Sequence, residues 1–125
     1  IAEGADVNAK DNGDGSLLHF VTNRSYKEIA ELLITKGADV NAKRGDGWTP
    51  LHCTTSEGLI ETAELLISKG ADLNAKNVDG ETPLDMAEEV FDHHTVEENA
   101  AKKETADLLR KHGGKTGEEL KAAGN

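Results

Sequence analysis

Between Tyr26 and Lys36, Ile29, Ala30, Leu32 and Leu33 recur at helical spacing, while Glu28 and Glu31 fall between them. That pattern predicts an amphipathic helix over 26–36, with the four apolar positions inward and the acidic ones in water. Gly37 follows at once, where a left-handed cap ends a helix. A second such run covers Ile60–Ser68, with Ala63, Leu66 and Ile67 facing inward and Leu65 facing a neighbouring unit. A shorter apolar stretch precedes each run. One is Leu17–Thr22; the other begins at Thr49-Pro50 and carries Leu51, Thr54 and Thr55 over about two turns. Thr49 suits an N-cap, and Pro50 suits the first helical position, where its missing N–H costs nothing. Glu57-Gly58 separates the short helix from the long one.

The unit repeats. Gly-Ala-Asp-Val/Leu-Asn-Ala-Lys occurs at residues 4–10, 37–43 and 70–76, a step of 33 each time. Thr-Pro-Leu occurs at 49–51 and 82–84, with a degenerate copy at Ser16-Leu17-Leu18-His19. A fixed period of this length means stacked supersecondary units rather than one closed domain. The first loop, 4–16, is one residue longer than the second, and its Asp11-Asn12-Gly13-Asp14-Gly15 tip supplies residues that tolerate the backbone of a tight turn. The third unit departs from the rule. Gly80 to Gly113 is 33 residues where Gly47 to Gly70 is 23, so about ten are inserted near 91–99, lengthening a helix or forming an exposed loop. Its second helix is expected over Ala100–Lys111. There Lys103 and Arg110 replace Ile60 and Ile67, and Asp85 replaces the histidine of the repeat, as in a polar terminal unit. Thr116-Gly117-Glu118-Glu119 then forms a capping box for a helix to about Ala123 that folds over the last unit or frays. At the other end, Ile1-Ala2-Glu3-Gly4 matches the last turn of a second helix, so a longer protein is expected.

Residues 46–75 carry Asp-Gly-x-Thr-Pro-Leu-His, a helix ending in Leu-Leu, and Gly-Ala-Asp-Leu-Asn-Ala. The chain from residue 1 to Gly113 thereby resembles the ankyrin repeat family. The resemblance implies an all-α solenoid of antiparallel helix pairs joined by hairpin loops. The array would span 1–113, with a partial repeat at 1–14, repeats at 15–46, 47–79 and 80–113, and a capping tail at 114–125. It also implies a non-catalytic protein-interaction module whose variable positions line a concave surface. Those positions are Asn12 and Asp14; Lys43, Arg44, Gly45, Asp46 and Trp48; Ser56 and Glu57; and Lys76, Val78, Asp79 and Glu81. The alternative is a regulatory or substrate-recruiting segment of a larger enzyme.

Composition narrows the partners. Only 36% of residues are hydrophobic and 3% aromatic, lean for a single central core but sufficient where each unit buries only its neighbour contacts. Twenty-four acidic against 14 basic residues, a net charge of −10, argue against nucleic acid and favour solubility or basic protein patches. No apolar run approaches membrane-spanning length. The expected partner is another protein, with a monomeric array, no cofactor, and the cytoplasm favoured.

Five sets of residues are candidates for a specific role. His19 and His52 occupy the repeat histidine, which in the family ties adjacent loops together. Cys53, the sole cysteine of these 125 residues, is a small core residue rather than a nucleophile, for no motif supplies a base. Asn8, Asn41 and Asn74 are expected to hold loop backbone by side-chain hydrogen bonds. Asp92, His93, His94 and Glu97 are the one cluster with metal-binding residue types, but their spacing matches no zinc signature, and a solvated acidic insertion is preferred. Trp48, the only tryptophan, stands where the family varies freely; it is either an exposed binding anchor or a residue packed on the neighbouring loop.

Overall fold

The computed structural model describes residues 6–22, 26–89 and 95–124. Among them are seven helices: α1 (Leu17–Thr22), α2 (Lys27–Thr35), α3 (Pro50–Ser56), α4 (Ile60–Ser68), α5 (Pro83–Glu88), α6 (Val96–Lys111) and α7 (Gly117–Ala122). The first six pack as three pairs, α1 with α2, α3 with α4, and α5 with α6. The short helices stack in the order α1, α3, α5 and the long ones in the order α2, α4, α6. The only β pairing among the described residues is an isolated bridge from Lys10 to Ser16.

Caps explain where four of these helices begin. Thr49, Thr82, Thr95 and Thr116 each sit in extended backbone, and each side chain accepts a hydrogen bond from the backbone N–H three residues on. The partner at that third position, His52, Asp85, Glu98 or Glu119, accepts from the threonine N–H in return. Two otherwise orphaned donors are satisfied at each start. Thr95 thus opens α6 four residues ahead of the expected Ala100. Residues 96–99 of the insertion lengthen the second helix, while 90–94 lie outside the described residues.

The core is a chain of small interfaces. Leu51, Ala63, Leu66, Leu84, Ala87, Ala106 and Leu109 form one buried cluster across the second and third repeats. Leu18, Val21, Ala30, Leu33, Ala38 and Leu65 form another across the first and second. Leu65 therefore faces the neighbouring repeat, as its register predicts. One sequence expectation needs correcting: of the four apolar positions on α2, Ala30 and Leu33 are buried, but Ile29 and Leu32 are exposed. The 3.6-residue period locates an apolar stripe, but burial needs something packed against each part of it. The Ile1–Gly4 turn lies outside the described residues.

The loops pack tip to tip. Gly45 N–H donates to the Gly13 carbonyl (2.9 Å), and Val78 N–H donates to that of Asp46 (3.0 Å). Gly47 permits this approach twice over. Its φ is +82°, and a Cβ there would lie 2.8 Å from Val78 N and 2.9 Å from Asn77 Cα.

Candidate partner-binding surface

Three sets of side chains lock the loops in register. Asn8 Nδ2 donates to the Gly37 carbonyl (3.1 Å), and Asn8 Oδ1 accepts from Asp39 N–H (2.7 Å). Asn41 makes the same pair with Gly70 and Asp72 at 3.2 and 2.7 Å, and Asn74 with Gly113 and Lys115 at 3.4 and 2.8 Å. These asparagines bridge to the next repeat instead of stabilising their own turn. Their own turns are held by the preceding aspartates: Asp6, Asp39 and Asp72 each accept the N–H of the asparagine two residues on. Lys10 and Lys43 add a second rung, each ammonium reaching a carbonyl 33 residues later, on Lys43 (2.9 Å) and Lys76 (3.2 Å).

The histidines form the third rung. His52 Nδ1 lies 3.1 Å from Thr49 N–H, which can only donate, so Nδ1 accepts and the ring proton sits on Nε2. Nε2 then donates to the Glu81 carbonyl at 2.8 Å. His19 repeats this between Ser16 and the Trp48 carbonyl, at 3.1 and 2.7 Å. Burial pushes both imidazoles below their ordinary pKa, partly opposed by the carbonyl each one donates to. In the last repeat Asp85 stands at that position and the polarity inverts. One oxygen, Oδ2, accepts from Thr82 N–H and from Gly117 N–H, both at 2.8 Å. The next element there is the first turn of α7, which offers a free N–H where an inner loop offers a carbonyl.

On this frame stands the cluster around Trp48. Arg44 forms a two-bond pair with Asp46 (3.2 and 2.8 Å), and its guanidinium lies 5.1 Å from the Trp48 ring centre. Asp46 also accepts from Trp48 N–H at 3.0 Å. The bond to Arg44, first among its causes, holds the Asp46 carboxyl below the usual carboxylate range. The Trp48 ring meets the His52 ring at 5.8 Å, tilted by 36°. Trp48 is half-buried rather than freely exposed, with Arg44 and His52 against its ring.

The remaining expected residues are spread over the three loops and the end of α3. Asn12 and Asp14 lie exposed at the first loop tip, where Asp14 takes a left-handed backbone (φ 62°). Lys43, Gly45 and Asp46 are exposed, as is Glu57, while Ser56 is half-buried. Val78 and Asp79 are exposed at the third tip; Lys76 and Glu81 are half-buried. A groove of about 750 Å³ gathers Lys76, Asp79 and Glu81 with Asp85, Glu88 and Glu118. The last three were missed because their place depends on where α7 docks; the Thr116 capping box was the available signal.

No thiolate chemistry is prepared here. Cys53 is fully buried, and burial raises its thiol to about 11, far from the thiolate a nucleophile needs. Among the described residues no three His, Cys, Asp or Glu side chains are grouped to hold a metal ion; His93 and His94 lie outside them. No helix among them is long and apolar enough to cross a membrane. A family model of ankyrin repeats matches the chain in three copies, over residues 1–77 and 18–115. No curated protein matches it.

Proposed function

The chain belongs to the ankyrin repeat family, and from that premise we propose that it is a non-catalytic module that binds a partner protein across its loops and short helices. Ankyrin repeats generally serve protein–protein interaction and are typically non-catalytic. The observation that carries the reading is the ladder of Asn, Lys and His bonds between successive loops. Such cross-repeat bonds fix loop tips that carry no core, so a partner meets a surface already ordered and the entropic cost of binding is lower.

Two features define the chemistry of that partner. Trp48, flanked by Arg44 and His52, offers an aromatic anchor whose geometry is set before binding. The groove lined by Asp79, Glu81, Glu88 and Glu118 is acidic, with Lys76 and Lys121 as its cations. A basic segment with an apolar side chain for Trp48 is the fitting partner. Affinity capture with the chain, with Trp48→Ala and with Asp79→Lys/Glu118→Lys tests this. Loss of one captured protein with both variants, each still folded by circular dichroism, is the expected result. Equal capture by all three would place binding elsewhere.

A further inference from the structure

The two ends of the array are finished differently. At the C-terminal end, Lys103 and Arg110 are exposed where the inner repeat has Ile60 and Ile67. Arg110 bonds to Glu88 (3.1 Å) and Glu119 (3.2 Å), and α7 closes the end with Leu120 buried. That end is capped by charge and by a helix. Among the described residues, the opposite end shows neither.

The repeat register shows what the N-terminal face is built for. Ile29 of α2 corresponds to Thr62 of α4 and Thr105 of α6; it is 46% exposed, against 1% and 0%. Leu32 corresponds to Leu65 and is 47% exposed against 7%. Leu17 of α1 is 46% exposed, whereas its counterparts Pro50 and Pro83 are buried. In each inner repeat the helix pair before it covers these positions. In the first repeat they are uncovered, yet they are large and apolar where a terminal unit would carry charge.

The loop of 6–16 supplies the missing half of the argument. Asn8 and Lys10 already bond onto the first repeat as Asn41 and Lys43 bond onto the second. The loop holding Asn41 and Lys43 directly follows α2, and α1 and α2 pack on α3 and α4. By the same translation, the helices belonging to loop 6–16 land on Leu17, Ile29 and Leu32. We infer that this face is a repeat-stacking interface, and that its occupant is the helix pair of a further repeat of the same polypeptide, placed ahead of Asp6.

The test adds that pair. A copy of residues 47–69 is placed directly before Gly4, in place of 1–3, so that the Lys69-Gly70 junction is reproduced in register. Hydrogen exchange in α1 and α2 slows by about tenfold or more in the extended chain, as sub-global opening is suppressed, and the urea midpoint rises. Ile29→Lys leaves the midpoint of the 125-residue chain almost unmoved but abolishes most of that gain. Extra helical circular dichroism with no change in exchange overturns the inference, as does an equal effect of Ile29→Lys in both chains. Self-association of the 125-residue chain in sedimentation, abolished by Ile29→Lys, would make a second copy the occupant and also overturn it.

Discussion

His52 Nε2 lies 2.8 Å from the carbonyl oxygen of Glu81, a contact 29 residues long that joins the first turn of α3 to the third loop. Protonating the ring leaves that Nε2–H bond in place but removes the Nδ1 lone pair that accepts from Thr49 N–H, and it puts a charge in a buried site. Stability is therefore tied to pH through this ring and through His19.

Both histidines have a folded pKa below that of the unfolded chain. The unfolded state binds more protons as pH falls, so stability rises with pH through this window. Their contribution is complete above about pH 6.5, the ordinary histidine value, and is lost as pH falls through the lower folded value. Urea midpoints measured between about pH 7.5 and 5 should fall below that point, and His52→Gln should flatten the slope. An unchanged slope in the variant would show that His52 does not carry it.

Asp85→His restores the repeat motif and is expected to destabilise. The site needs an acceptor for both Thr82 N–H and Gly117 N–H, and a neutral imidazole has one acceptor nitrogen. One donor is left unsatisfied at a cost of about 1–3 kcal/mol, and α7 detaches first. Faster amide exchange in 117–122 than in α5 is the check.

Gly47→Ala and Gly37→Ala separate backbone strain from close approach. Both glycines have positive φ, +82° and +100°, but only at Gly47 would a Cβ meet backbone. Gly37→Ala should cost about 1–2 kcal/mol, the left-handed penalty alone, and Gly47→Ala clearly more, with the second and third loops forced apart. Equal unfolding midpoints would contradict the tip-to-tip packing.

Leu66→Ala should cost roughly 2–5 kcal/mol, since Leu66 is fully buried in the larger cluster. Glu97→Ala, on the exposed first turn of α6, should stay within about 0.5 kcal/mol. Chemical denaturation of the two proteins decides it.

Trp48→Ala should lower stability by about 1–2 kcal/mol through its contacts with His52 and Arg44. It should weaken partner binding by more than about 2 kcal/mol, as a central aromatic anchor does. Asp79→Ala should change stability by no more than about 0.5 kcal/mol and act mainly on association rate. Titration calorimetry beside thermal unfolding separates the two; a stability loss with binding intact would leave Trp48 a packing residue.

What the sequence determined by itself was everything governed by local chemistry and by period. The 33-residue step, the Thr-Pro starts, the glycine stops and the Thr116 capping box set six helix positions closely, because caps and left-handed glycines act within a few residues of chain. Tertiary structure alone decided which side chains meet across repeats and which are covered. It showed that Asn8 bonds to the next repeat and not to its own turn, and that Asp85 receives an N–H from α7. It also left Ile29 and Leu32 in water while their counterparts are buried, and tucked Trp48 between Arg44 and His52. A periodic sequence states the same instruction in every repeat. Whether a given stripe is buried depends on which neighbour stands beside it, and that is a property of the stack.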